Sequence, residues 1–394
     1  MNNRERVLAI LRGEKADKIP YMPLTTRTFW FSVPEYAKKF KPKWNDIGQY
    51  VPDVDPEIEF EEIEWRAKYY ESIGVTFCKY TNEHGGNQIQ YKENLKAGIK
   101  VIKLRDKNDT KFKFIYETPV GKLEQDSELF PNASIAIRKN LLKTIDDYKV
   151  FKYILEHQIV EWPGLNNWAE NCLKAIGNRG VAFGTGPIPP VMVWIFTVLG
   201  VEGVTFGITD HKKELNELVE LAHGINIDYL DIIVKTPFEI IIADAVNGVL
   251  SINPQIYKEY YMPYHQDYSK VLKKYNKLYV SHSSSEPLGP ILEYIEQTGL
   301  DGLYGFVFPP NPGDPSIGEV CKRWAPKKMT VMGGIDPHFL ATSTPDKIKE
   351  WVKKAMDNIG DAGNFILGTA DDTVYGTPLK NIAAIPEALD EIYG

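Results

Sequence analysis

Ionisable side chains come within four residues after apolar runs of the sequence that are typical of buried strands. Asp244, His282 and Asp371 each follow one such run. A carboxylate at the end of an apolar strand is partly desolvated and needs a partner, and a histidine there can carry a proton or bind a metal ion. We therefore predict that these three residues are catalytic, through general acid or base chemistry.

Other polar residues near these three have a functional and a structural interpretation. Asn247 and Asp372 are candidates for substrate binding because they lie within three residues of Asp244 and Asp371. One of the pair Asp371 and Asp372 could instead cap a helix while the other acts in chemistry. Asp336 stands before a proline and is equally well explained as a helix or turn cap.

An aromatic segment follows the first predicted strand. Phe29, Trp30 and Phe31 are consecutive, and Arg27 lies just before them. The three rings are typical either of core packing or of the wall of an apolar pocket. We predict that they and Arg27 bind the substrate.

The elements that must position these residues alternate between short apolar runs and helical patterns. The predicted strands are 19–24, 74–80, 180–183, 238–243, 278–281, 302–306, 329–332 and 364–367. Several intervening helices begin with a capping side chain before a proline or with a capping box. The capping side chains precede prolines at Asn253-Pro254, Thr344-Pro345 and Thr377-Pro378, and the capping box is Ser316 with Glu319. This alternation predicts a (β/α)8 TIM barrel, in which catalytic groups project from the C-terminal ends of the strands. A doubly wound open sheet is the alternative, but no GxGxxG turn follows any predicted strand.

Residues 85–135 interrupt this alternation. Residues 99–104 and 111–117 alternate apolar and polar side chains around a polar turn, which predicts an antiparallel β-hairpin inserted into the barrel. The sequence has no linker that would separate two domains, so we predict a single domain over residues 1–394.

The composition excludes several functional classes. The 394 residues are 43% hydrophobic and 25% charged, with a net charge of −7 and no basic cluster, which argues against nucleic acid as a partner. The sequence predicts no membrane-spanning helix. The three cysteines form no CxxC pair and no apolar signal sequence begins the chain, so we expect a reducing, cytoplasmic location.

Several segments together are similar to the uroporphyrinogen decarboxylase superfamily. They are RERVLAILRGEKADKIPYMP, ETPVGKL, ADAVNGVLSINPQIYKEYYMPYHQDY, VSHSS, GGIDP and FILGTADDTVYGTPLKNIAAI, and they cover nearly the whole chain in order. The resemblance implies a (β/α)8 barrel with its site at the C-terminal mouth.

The resemblance also separates two kinds of chemistry. The decarboxylases carry an Arg-rich segment after the first strand, which binds the many carboxylates of their substrate, whereas this chain has Arg27 alone beside three aromatic rings. The chain therefore looks more like the branch of corrinoid-dependent methyltransferases, in particular the methyltransferase I components of O-demethylase systems. In that branch the resemblance implies a partner protein that carries the corrinoid (cobalamin) cofactor.

The resemblance bears on metal binding as well. Thiol-methylating members of the branch bind Zn²⁺ through an H-x-C segment and a later cysteine. Here the first segment reads His282-Ser283-Ser284, and Asp371 stands at the position of the later cysteine, so both sulfur ligands are missing. If zinc binds, its candidate ligands are His282 and Asp371, with Asp244 or Glu239 in addition.

These features predict an enzyme that transfers a methyl group from a methoxylated aromatic to the Co(I) corrinoid of a partner protein. The ether oxygen must be protonated or coordinated as its bond to the methyl carbon breaks. Three alternatives remain open. They are a decarboxylase for porphyrinogen-like acids, a methylcorrinoid:tetrahydrofolate methyltransferase that uses Asp244 and Asn247, and a non-catalytic protein that binds a small molecule.

Overall fold

The fold is that of an α/β protein with two separate sheets. A computed structural model describes residues 1–42, 54–80, 91–107, 110–130, 135–243, 252–283 and 285–393. Its strands are β1 (Phe77–Tyr80), β2 (Lys100–Arg105), β3 (Lys111–Thr118), β4 (Gly121–Leu129), β5 (Ile135–Lys139), β6 (Gly180–Thr185), β7 (Ile240–Ala243), β8 (Leu278–His282), β9 (Gly302–Val307), β10 (Thr330–Ile335) and β11 (Phe365–Thr369).

The helices mostly follow the strands of the larger sheet. They are α1 (Asn3–Leu11), α2 (Arg27–Trp30), α3 (Pro34–Lys39), α4 (Glu59–Ser72), α5 (Ile145–Glu156), α6 (Leu165–Ile176), α7 (Pro190–Thr197), α8 (Gly200–Asp210), α9 (Lys212–Ile233), α10 (Pro254–Tyr260), α11 (Met262–Lys274), α12 (Leu292–Ile295), α13 (Ile317–Trp324), α14 (Pro337–Thr342), α15 (Pro345–Ile359) and α16 (Leu379–Tyr393). The predicted helix starts at Asn253-Pro254 and Thr344-Pro345 and the capping box at Ser316 are confirmed.

The larger sheet is curled and parallel, and it has seven strands among the described residues. Their order is β1-β6-β7-β8-β9-β10-β11. These strands consist of apolar runs that are buried on both faces, which is why seven of the eight predicted strands could be recognised in the sequence. All carboxyl ends of these strands meet at one edge of the sheet, which we call the C-terminal edge.

The first predicted strand, residues 19–24, forms a single parallel bridge from Tyr21 to Leu367 of β11. The Met22 backbone N–H donates to the Leu367 carbonyl over 2.7 Å, and on its other side the Tyr21 carbonyl accepts from the N–H of Thr76, just before β1, over 2.8 Å. The segment therefore bonds to the regions of both outermost strands without pairing as a regular strand.

The sheet has a different cover on each face. Its concave face holds an apolar cluster that includes Cys78, Tyr304 and Met332, and helix α1 contributes residues to the same cluster. The Thr330 hydroxyl, at the first residue of β10, donates to the Ile10 carbonyl, so α1 lies at the N-terminal edge of the sheet. The other face packs against the helices, and the C-terminal edge is where predicted site residues collect.

The insertion is larger than the predicted hairpin. Strands β2 and β3 confirm its two predicted strands, but β4 and β5 extend them into a four-stranded antiparallel sheet in the order β2-β3-β4-β5. Strand β4 lacks the expected apolar alternation because its side chains are mostly polar, with Leu123 and Ser127 as its buried positions. Strand β5 begins at residue 135, where the predicted insertion ends.

Candidate active site at the C-terminal edge

The structure brings His282 and Asp371 together at the C-terminal edge. His282 is the last residue of β8, and Asp371 comes two residues after the end of β11. The Nε2 atom of His282 lies 3.8 Å from Oδ1 of Asp371, although two strands separate β8 from β11 in the sheet. The side chain of His282 is 6% exposed and that of Asp371 is 40% exposed, so the pair joins a buried imidazole to a carboxylate that solvent reaches.

Hydrogen bonds fix the backbone on both sides of this pair. The Asp372 backbone N–H donates to Oδ1 of Asp371 over 2.7 Å, which orients the carboxylate. The next helix, α16, begins at Leu379, so neither aspartate lies next to its start. On the other side, the Ser281 hydroxyl donates to the carbonyl of Ala243, the last residue of β7.

Two predicted residues lie outside the described part of the chain. These are Asp244, which follows Ala243 directly, and Asn247. Both remain predictions. Asp336 is the N-cap of α14, where its side chain accepts a hydrogen bond from the Phe339 N–H over 2.7 Å, in line with its structural interpretation.

Glu239 does not join His282 and Asp371. It precedes Ile240, the first residue of β7, and Ile240 pairs with Leu278 at the start of β8. Glu239 therefore lies at the N-terminal edge of the sheet, where it forms ion pairs with Arg4 and Arg12 of the α1 region. The proposed metal ligation by Glu239 together with His282 is wrong, because the two residues lie at opposite ends of neighbouring strands.

The described residues alone do not form a zinc site. A catalytic zinc ion takes three protein ligands as a rule. Of the predicted ligands, the structure brings together His282 and Asp371, and Asp244 lies outside the described residues. Within the described ranges, no group of three His, Cys, Asp or Glu side chains is arranged to hold a metal ion.

Arg27 is part of a buried charge cluster. Its guanidinium lies 3.2 Å from Glu59 and 3.4 Å from Glu62, and Arg66 lies 2.7 Å from Glu62. We call these four residues the Arg27 cluster. Their side chains are at most 9% exposed, and two positive charges balance two negative charges. Arg27 therefore has carboxylate partners within the protein and no exposed surface with which to bind a substrate carboxylate.

The aromatic segment divides between core and surface. Phe29 and Trp30 are fully buried, and the Trp30 ring packs against Tyr36 and Tyr70 among other rings. Their placement is that of core residues. Phe31 is half-buried, with its ring centroid 5.1 Å from that of Tyr36, so it is the member of the predicted wall with exposed surface.

Sequence reasoning did not identify Tyr304 on β9. Its ring centroid lies 5.7 Å from that of His282, and the two residues are in register between β8 and β9. Burial raises the pKa of Tyr304 well above its usual value. The nearby Cys78, Asp371 and Asp372 also raise this pKa. The signal in the sequence that could have identified Tyr304 is a tyrosine within the predicted strand that follows His282.

A small pocket lies at the C-terminal end of β9. It is lined by Glu286, Leu288, Phe306, Asn311 and Asp314 among others. His282 and Asp371 do not contribute to its lining. We take the pair as the candidate site because it contains the proton-carrying groups, whereas the pocket walls are mainly apolar with two carboxylates.

No helix formed by the described residues combines the length and the apolar character that crossing a membrane needs.

Comparisons with known proteins bear on the region that contains the pair. Residues 199–392 match the uroporphyrinogen decarboxylase family model. Over 211 residues the chain is 25% identical to a methylated-thiol:coenzyme M methyltransferase of Methanosarcina mazei, an alignment that covers 52% of this chain and 53% of that protein. The chain thus spans about half the length of this curated relative.

A solved structure agrees with the fold. A methyltransferase from Methanosarcina mazei superposes with a TM-score of 0.63, at 16% sequence identity, over 100% of both chains. This similarity supports the α/β fold described above. The superfamily that the sequence motifs indicated is confirmed, and residues 199–392, which contain both His282 and Asp371, are a uroporphyrinogen decarboxylase family domain.

Proposed function

We propose that the protein is a methyltransferase that moves a methyl group from a methoxylated aromatic to the corrinoid of a partner protein. The observation that carries this proposal is the pair of His282 and Asp371, 3.8 Å apart at the C-terminal edge, where the sequence has no cysteine ligands. The methyltransferase relatives support the reaction class.

The chemistry of an aryl methyl ether explains why a histidine and a carboxylate suit the task. When the bond between the methyl carbon and oxygen breaks, its electron pair stays on the oxygen, and the phenol that forms has a pKa of about 10. A proton delivered to that oxygen during the step makes it a better leaving group. The corrinoid, as the second substrate, supplies the nucleophile that accepts the methyl group.

In this scheme His282 is the proton donor. Its buried imidazole faces Asp371, and a carboxylate at this distance stabilises the protonated ring. After the proton moves to the ether oxygen, the neutral imidazole regains a proton from solvent by way of the exposed side of Asp371. We keep Asp244 as a further candidate acid and Asn247 and Asp372 as candidate substrate ligands.

The decarboxylase alternative lacks support from the described residues. A substrate with many carboxylates needs cations at the site. Arg27, the one arginine of the segment after residue 24, is bound to Glu59 and Glu62 and is fully buried.

We also infer that the curled sheet is a (β/α)8 barrel, with residues 19–24 as its first strand, between β11 and β1. The support is the bonding of this segment to β11 on one side and to Thr76 on the other. A barrel would explain why the side chains of His282 and Asp371 meet across two intervening strands.

The test is a transfer assay with the purified full chain. A corrinoid protein is reduced and mixed with the protein and one of several methoxylated benzenes, and both the corrinoid absorbance and the released phenol are followed. The proposal predicts equal amounts of methylated corrinoid and phenol. Methylation from a methylthiol or from methyltetrahydrofolate, with none from any ether, would overturn the proposed donor, and loss of carbon dioxide from a porphyrinogen acid would overturn the reaction class.

A further inference from the structure

Tyr304 connects His282 with the segment that contains Met22. Its ring packs against His282, and its hydroxyl donates to the Met22 carbonyl over 3.1 Å. Tyr304 is 1% exposed, so both contacts are shielded from solvent. One side chain thus touches the proton carrier and the segment that runs beside β11.

That segment holds the chain on both sides of Asp371. The Leu24 N–H donates to the Thr369 hydroxyl over 2.9 Å, before Asp371 in the sequence. The backbone N–H and the hydroxyl of Thr373, after Asp371, both donate to the Leu24 carbonyl, over 2.8 and 2.7 Å. The position of residues 22–24 therefore determines where Asp371 lies.

The other end of Tyr304 holds the chain next to His282. The backbone N–H and the hydroxyl of Ser283 donate to the Tyr304 carbonyl, over 2.8 and 3.0 Å. Side chain and backbone of Tyr304 together constrain both the imidazole ring and the residue that follows it.

The space for the Tyr304 hydroxyl depends on a glycine. A Cβ atom added at Gly368 would lie 2.5 Å from the Tyr304 hydroxyl oxygen and 2.7 Å from the Met22 carbonyl oxygen. Both contacts are shorter than real Cβ contacts. A side chain at position 368 would therefore displace the hydroxyl from Met22.

We infer that Tyr304 is a positioning residue that sets the separation between His282 and Asp371. The inference rests on the proposed function, since it gives this separation a role in proton transfer. Misplacing a reacting group by about 1 Å costs on the order of 100-fold in rate. The Tyr304 hydroxyl donates to the Met22 carbonyl, so in this proposal it acts through the positions of His282 and Asp371 rather than on the substrate.

The test compares Tyr304→Phe with Tyr279→Phe. Tyr279, on β8, is also fully buried, and its hydroxyl lies 2.7 Å from Nδ1 of His265, so Tyr279→Phe also removes one hydrogen-bonded, buried hydroxyl. We expect Tyr304→Phe to lower kcat about 10-fold with KM for the methyl donor unchanged, and Tyr279→Phe to keep kcat within about twofold. Gly368→Ala, which crowds the Met22 carbonyl as well as the Tyr304 hydroxyl, should lower kcat at least as much as Tyr304→Phe does.

A double variant separates positioning from general destabilisation. In an Asp371→Asn background, the Tyr304→Phe change should cost less than about twofold, because the separation it maintains no longer matters. The inference would be overturned if Tyr304→Phe lowered kcat equally in the wild type and in the Asp371→Asn background. It would also be overturned if Tyr279→Phe lowered kcat as much as Tyr304→Phe does.

A readout independent of turnover distinguishes this inference from the proposed function. If the inference holds, the His282 ring signals in NMR spectra of the Tyr304→Phe variant should broaden or double, while those of the Tyr279→Phe variant match the wild type. If the wild type transfers no methyl group from any donor, the proposed function fails and these spectra alone decide the inference. Unchanged His282 signals in the Tyr304→Phe variant would overturn it.

Discussion

The Arg27 cluster and the pair of His282 and Asp371 are two charged groupings with opposite surroundings. In the Arg27 cluster every side chain is nearly or fully buried and the charges cancel. In the pair, the Asp371 side chain is 40% exposed. Its Oδ1 atom lies 3.8 Å from Nε2 of His282, which is longer than a hydrogen bond. Removing one partner from an enclosed group of charges leaves another charge buried and unpaired, which destabilises the fold. A partly exposed pair can instead exchange protons with a substrate or with solvent. We therefore propose a structural role for the Arg27 cluster and a chemical role for the pair of His282 and Asp371.

The largest expected effect on stability concerns the Arg27 cluster. The Arg27→Leu substitution leaves Glu59 and Glu62 buried with one cation between them, so it should lower the free energy of unfolding by about 3 to 5 kcal/mol. Urea denaturation measures this. The control is Lys39→Ala, which breaks the exposed pair of Lys39 and Glu61 and should cost less than about 1 kcal/mol. Equal costs for the two substitutions would refute the structural role of the cluster.

A second prediction concerns His265, a buried histidine outside the candidate site. His265 is fully buried between α11 and β8, and burial lowers its pKa to about 3. In the unfolded chain His265 binds a proton near pH 6.5, whereas in the folded protein it stays neutral until the pH approaches 3. The free energy of unfolding therefore decreases as the pH falls from about 6.5 towards 3.

The His265→Gln variant isolates this contribution. Between about pH 7 and about pH 5, the wild type should lose about 2 kcal/mol more stability than the variant does. Tyr279→Phe keeps the buried imidazole and should therefore keep the wild-type pH slope. The burial argument fails if the slopes of wild type and His265→Gln coincide.

The smallest expected effect concerns the aromatic segment. Phe31 has exposed surface and Trp30 has none. If Phe31 lines the donor site, as the sequence analysis proposes, Phe31→Ala should raise KM for a methoxyarene about threefold and leave kcat unchanged. An unchanged KM would remove the last aromatic residue of the segment from the site.

The larger sheet could be predicted from the sequence because its strands are short apolar runs buried on both faces. Strand β4 could not, because its polar side chains lie on a small sheet with one exposed face. Residues 19–24 have strand-like composition, but they pair through a single bridge at Tyr21.

Part of the candidate site could also be predicted from the order of elements alone. Parallel strands bring His282 and Asp371 to one edge wherever they fall in the sequence. The role of Arg27 could not be predicted, because Glu59 and Glu62 lie more than 30 residues away on α4. Glu239 was misplaced because it precedes its strand, and the two ends of a parallel strand point to opposite edges.

The most direct test of the assignment measures turnover and stability together in the His282→Gln variant. We predict that kcat for methyl transfer from a methoxyarene falls by about 10² to 10⁴, while the free energy of unfolding changes by about 1 kcal/mol. His338→Gln, on the exposed side of α14, serves as the control and should retain wild-type turnover. A His282→Gln variant with kcat within about twofold of the wild type would contradict the assignment of chemistry to this pair.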